Sequence, residues 1–122
     1  MIATIIGVVV DCPDPRELAP FYEALLGASR SRDDPGWVTL DAGALTLSLQ
    51  RTPHFAAPDW RRGEPPQQLH LDLTVADLDV GERRVVELGG SVLESSDEPI
   101  GYRVFADPVG HPFCLVTPEG IA

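Results

Sequence analysis

The feature that most constrains this chain is that it returns on itself. Displaced by 63 residues, IGVVVDCPDPRELAPFYEALLGAS falls on LHLDLTVADLDVGERRVVELGGSV, so that Gly7 meets His70, Asp11 meets Thr74, Asp14 meets Asp77, Leu25 meets Leu88 and Gly27 meets Gly90. The side chains differ, but the order of physical roles is kept: apolar strand, aspartate, amphipathic helix, glycine. Asp14 is placed as an N-cap, with Pro15 at the first helical position and Glu17 three residues on as in a capping box. Leu18, Phe21, Tyr22, Leu25 and Leu26 then recur at helical spacing as one buried stripe, and Gly27 supplies a left-handed stop. In the second copy Asp77 caps, Leu78, Val85 and Leu88 form the stripe, and Gly89-Gly90 ends it. The same order met twice points to an internal duplication.

After each helix come three strand-like segments, near 28–33, 37–41 and 45–50 in the first half and near 91–94, 102–106 and 113–117 in the second, with DDPG, DAG and DPVG as turns. The expected class is therefore α+β, built from two tandem βαβββ modules. Module one takes 1–52 and module two 68–122. Between them RTPHFAAPDWRRGEPPQQ is rich in proline and charge and reads as a linker or lid over 53–67. A chain of 122 residues fits both modules into one domain, 1–122.

Composition narrows the partners. Nine basic against nineteen acidic residues give a net charge of −10, which argues against nucleic acid or an anionic membrane surface and mildly favours a cationic ligand. No apolar run approaches the roughly 20 residues that span a bilayer, and MIATIIGVVVDCPD, without a basic flank or cleavage site, reads as a first strand. Cys12 and Cys114 are too few for a disulfide framework, so the expectation is a cytoplasmic protein with free thiols.

DPRELAPFYEALLG in the first half, with HLDLTVADL and FADPVGHPFCLVTP in the second, resembles the vicinal oxygen chelate superfamily (the glyoxalase/bleomycin-resistance/dioxygenase fold), and most of all its small glyoxalase-like members. The resemblance implies two four-stranded sheets curled around a cavity, helices outside, and a homodimer. In metal-using members it implies four ligands from the first and last strands of each module, which fall here at Gly7, Gln50, His70 and Cys114.

Strand alternation offers an independent reading of the same positions. In LTLSLQ, Leu45, Leu47 and Leu49 face the helix and Thr46, Ser48 and Gln50 the cavity; in FCLV, Cys114 and Val116 point inward; in IGVVVD, Ile6, Val8 and Val10 are core and Gly7, Val9 and Asp11 face the cavity. A one-residue bulge would flip Gln50. Along LHLDLTVAD the polar face carries His70, Asp72 and Thr74. Tyr102 and Phe105 alternate with Arg103 and Val104, so one pair faces the cavity.

Gly7 offers no donor, Gln50 a weak neutral one, and Cys114 stands where a glutamate is implied, leaving His70 as the orthodox ligand. A catalytic divalent site needs about three protein ligands and an open position. The residues favour no metal; the alternative is zinc, nickel, manganese or iron on His70, Gln50 and Cys114, with Asp72 as a substitute. His54 and His111 read as structural or solvated, Cys12 as a small buried filler, and Cys114 as an unactivated thiol. Trp37 is core or cavity wall. Trp60, flanked by Arg61 and Arg62 in the lid, either closes over a flat ligand or pins the linker.

These readings lead to a small-molecule-binding protein whose cavity draws on His70, Asp72, Gln50, Cys114, Ser48 and Trp60. The alternative is a divalent-metal-dependent lyase, isomerase or dioxygenase-like enzyme, and a third possibility is a structural module whose own side chains fill the cavity.

Overall fold

The computed structural model describes residues 1–97 and 101–121. Its elements follow the duplicated order. Module one runs β1 (Gly7–Cys12), α1 (Pro15–Leu26), β2 (Ser29–Asp34), β3 (Trp37–Asp41) and β4 (Thr46–Arg51). Module two runs β5 (Leu71–Thr74), α2 (Leu78–Glu87), β6 (Ser91–Glu94), β7 (Tyr102–Ala106) and β8 (Pro112–Val116), followed by a 3-10 turn at Pro118–Ile121. Each module makes its own four-stranded mixed sheet, in the order β1-β4-β3-β2 or β5-β8-β7-β6. In each sheet the first strand lies parallel to the last, and the remaining pairs are antiparallel. The chain divides into two compact units, Met1–Phe55 and Ala56–Ala122, so the proline-rich segment belongs with the second from Ala56 on.

The helices start and stop where their sequences direct. Asp14 stays extended and its carboxylate accepts from the Arg16 amide at 3.0 Å; Asp77 does the same for the Val80 amide at 3.0 Å. Each cap satisfies one of the amides that a helix start leaves without a partner. Gly27 ends α1 at φ 62°, and at the end of α2 the left-handed residue is Gly89, φ 105°. The stripe of α1 buries Leu18, Phe21 and Tyr22, with Leu25 and Leu26 only half-buried.

One face of each sheet packs on its helix. In module one Val38, Leu40 and Leu49 are fully buried with Leu18 and Tyr22; in module two Val85, Phe105, Phe113 and Leu115 are. Phe105 and Phe113 stack across neighbouring strands with ring centres 5.6 Å apart. Arg103 is a buried cation on this same helix face, 3.0 Å from Asp79 and 3.4 Å from Glu82 on α2.

Several strand readings are corrected. Ile6 and Leu45 lie just outside β1 and β4 and are exposed, so neither is core. β5 is shorter than its alternating pattern and begins at Leu71, so His70 leads into the strand instead of lying within it. On β7 the faces divide as Tyr102 with Val104 and Arg103 with Phe105, because side chains two apart share a side of a strand.

Candidate functional site

The face of the second sheet turned away from α2 carries the chemistry. Cross-strand pairing sets Asp72 on β5 beside Cys114 on β8, Cys114 beside Val104 on β7, and Val104 beside Glu94 on β6. The next row is Thr74, Val116 and Tyr102. Directly opposed residues share a face, so one row runs carboxylate, thiol, valine, carboxylate across the sheet. A register shift between Val92 and Glu94 brings the last of these into line.

Val104, Cys114 and Val116 form a buried apolar floor, and Trp60 and Leu93 pack against it. The indole is held from above, since Trp60 Nε1 donates to Glu94 Oε1 at 3.1 Å. Trp60 keeps its place because its loop closes on itself: Asp59 Oδ1 accepts from the Arg61 and Arg62 amides, and the Asp59 amide donates to the Pro65 carbonyl. The loop also seats on the turn before β8, where the space a side chain at Gly110 would need is taken by Ala57, 2.6 Å away. Trp60, His70, Asp72, Tyr102, Val104, Cys114 and Val116 line an open cavity of about 350 Å³. A hollow of about 560 Å³ lies on the other side of Trp60, lined by residues that include Arg61, Ser91 and Leu93.

At the cavity's polar end, His70 Nε2 lies 3.2 Å from Asp72 Oδ1. Cys114 Sγ is close enough that one donor atom from each of the three falls within 4.8 Å of the others. The Cys114 thiol is pushed up to about 11, first by burial and then by the charge and hydrogen bond of Asp72 and the charge of Glu94. Without an ion the group is therefore a neutral thiol at physiological pH, a poor nucleophile. Donor chemistry decides which ion the trio fits: imidazole, carboxylate and thiolate suit zinc or another borderline ion, bound through His70 Nε2, an Asp72 oxygen and Cys114 Sγ. When bound, such an ion would supply Lewis acidity to a ligand oxygen.

The remaining expected site residues belong to the first unit. Ser48 is buried, its hydroxyl 3.0 Å from Thr39 Oγ1, which accepts from Trp37 Nε1 at 2.8 Å. Gln50 is exposed near the end of β4. The registers also revise which residues correspond. Asp11 pairs with Gln50 as Thr74 pairs with Val116, and Val9 with Ser48 as Asp72 with Cys114, so the counterpart of Cys114 is Ser48 and not Gln50. Gly7, the counterpart of His70 in the duplication, leaves no room for a side chain, since a Cβ there would lie 2.7 Å from the Thr46 carbonyl oxygen. Cys12 is fully buried and donates to the Gln50 carbonyl at 3.6 Å. His54 is exposed at φ 59°, and the His111 amide donates to the buried Asp107. Trp37 is half-buried beneath the Arg32 guanidinium, 5.3 Å from the ring centre. Sequence reasoning missed Glu94, which only the bulged register brings into the row, and left Tyr102 between two faces.

A family model for the glyoxalase-like domain matches residues 7–116. The chain belongs to the glyoxalase-like family. Solved structures agree on the fold of this glyoxalase-like chain. A glyoxalase/bleomycin resistance protein/dioxygenase family enzyme from Burkholderia phytofirmans is similar with TM-score 0.74 at 16% identity, over 94% of this chain and 98% of that one. A hypothetical protein from S. aureus is similar with TM-score 0.70 at 23% identity, over 96% of this chain and 94% of that one. A genomically encoded fosfomycin resistance protein from Listeria monocytogenes is similar with TM-score 0.74 at 14% identity, over 96% and 94%. At such identities the likeness is one of fold. No curated protein matches the glyoxalase-like chain. None of its described helices is long and apolar enough to cross a membrane.

Proposed function

We propose that the protein binds a small organic molecule in the cavity of its second module. The observation that carries this reading is the cavity itself: about 350 Å³, floored by Val104, Cys114 and Val116, walled by Trp60 and Tyr102, and polar only where His70 and Asp72 meet. A hollow of that size with an apolar lining and a few convergent polar groups is what a ligand pocket requires. The test is a screen of small aromatic compounds by heteronuclear NMR, repeated on Val104→Phe, which fills the floor, and on Trp60→Ala, which opens the wall. Binding of any compound that both changes weaken supports the reading. If no compound shifts residues of the cavity, the reading fails.

The trio of donors favours a second reading, in which a zinc-like ion sits on His70, Asp72 and Cys114 and the protein is a lyase, isomerase or dioxygenase-like enzyme. Metal content of untagged protein after dialysis separates the two. Near-stoichiometric metal that disappears in His70→Ala supports the enzyme. The resemblance also leads us to expect a cytoplasmic homodimer, which light scattering of the purified protein would check for its assembly.

A further inference from the structure

We infer that the ligand is an organic cation: an ammonium group set against Asp72, carried on a flat apolar body that lies between Trp60 and Tyr102 over the valine floor. The inference rests on the binding-cavity reading and adds the chemical class.

Three observations support it. The row across the sheet has a carboxylate at each end, Asp72 on β5 and Glu94 on β6. The two carboxylates are not equivalent. Glu94 is engaged by the Trp60 indole at 3.1 Å, whereas Asp72, beside His70 at 3.2 Å and the neutral Cys114 thiol, is exposed to the cavity. Second, among the described residues no lysine or arginine lines this cavity. The nearby arginines point elsewhere: Arg61 lines the hollow beyond Trp60, and Arg103 lies on the opposite face, paired with Asp79 and Glu82. An anionic ligand would meet the negative charge of Asp72, with His70 as the one basic side chain among the described lining residues. Third, both walls are aromatic, and a ring face attracts a cation, most strongly where water is excluded. Trp60 is also held in position before any ligand arrives, so little side-chain entropy is lost in using it.

Three probes that share one ring system separate charge from shape: 2-naphthylmethylammonium, 2-naphthylmethanol and 2-naphthoate, each titrated calorimetrically at neutral pH and moderate salt. The ammonium should bind about tenfold or more tighter than the alcohol, and the naphthoate most weakly. Asp72→Asn should cost the ammonium about tenfold and leave the alcohol unchanged, and Asp72→Lys should turn the preference toward naphthoate. Val104→Phe should weaken all three, which separates the cavity from loose association with a chain of net charge −10.

If the alcohol or the naphthoate binds as tightly as the ammonium and Val104→Phe abolishes it, the charge class is wrong while the cavity stands. Ammonium binding that neither Asp72→Asn nor Val104→Phe alters overturns the inference, because it then resides elsewhere on the acidic surface. If none of the three binds and the wider NMR screen is also silent, the cavity reading falls and this one with it.

Discussion

The two modules share a topology and diverge on one face. On the helix-facing side they are interchangeable in kind: a capped helix over apolar strands, with Leu18, Tyr22 and Leu40 buried in one and Val85, Phe105 and Phe113 in the other. On the opposite side, equivalent positions hold different chemistry. Where module two has Asp72, Cys114 and Val104 in a row, module one has Val9, Ser48 and Thr39. Where module two admits His70, module one has Gly7 against the Thr46 carbonyl. The shared face is the one that must exclude water for each unit to fold. The divergent face is under no such demand, and there module one has polar side chains satisfied by one another, Trp37 to Thr39 to Ser48, while module two has groups left open to a cavity.

The largest effects should therefore come from the shared face and be alike in both modules. Phe113→Ala removes a fully buried ring from its stack on Phe105, and Tyr22→Ala removes one that meets Phe21 edge-on. Each should cost about 3–5 kcal/mol by denaturant unfolding. A cost below about 1 kcal/mol in one module only would show that its sheet does not depend on its helix.

Next in size is an attempt to make module one resemble module two. Gly7→His forces a side chain into the space of Thr46 and should destabilise by about 1–3 kcal/mol. The reverse change, His70→Gly, removes a side chain that is more than one-third exposed and should cost less than about 1 kcal/mol in unfolding while changing ligand binding. Equal costs for the two changes would mean that both modules hold their first-strand position for structural reasons. The caps fall at the low end of the Gly7→His range. Asp14→Ala and Asp77→Ala should each cost about 1 kcal/mol, since each carboxylate accepts one helix amide.

The same division explains how much could be read from the sequence. Helix starts, the α1 stop, the order of elements along the chain and the two-module class follow from local chemistry: Asp14 and Asp77 as caps, Gly27 as a left-handed stop, apolar spacing along the helices. Of the site, the common face of Asp72, Cys114 and Val116 was legible because a strand alternates, and His70, just before β5, continues the same alternation. Three features were not. Glu94 joins the row through a bulge in β6, and a bulge shifts register without a signature in composition. Tyr102 could be assigned only once its neighbours on β8 were known. The correspondence of Ser48 with Cys114 follows from which residues pair, which a displacement by 63 residues does not carry past the helices, because the segments that follow them differ in length.

The most local effect is the most specific to the divergent face. Cys114 and Cys12 are both buried and outside any disulfide, and Cys114 lies beside the Asp72 carboxylate. Its alkylation by iodoacetamide, followed by peptide mass spectrometry to separate the two cysteines, should show a midpoint at about 11 instead of the ordinary 9.0. Between those values the unfolded chain has released the Cys114 proton and the folded chain has kept it. Stability should then fall as pH rises from about 9 toward 11, because the unfolded state binds fewer protons there. Asp72→Asn removes a negative charge and should lower the alkylation midpoint. It should not restore the ordinary value, since burial is the larger cause and Val104, Val116 and Trp60 still cover the sulfur. A midpoint at 9.0 in the unsubstituted protein would mean that water reaches the cavity floor. A midpoint that Asp72→Asn leaves unmoved would mean that Asp72 does not face Cys114, and the row that distinguishes module two from module one would be broken at its first step.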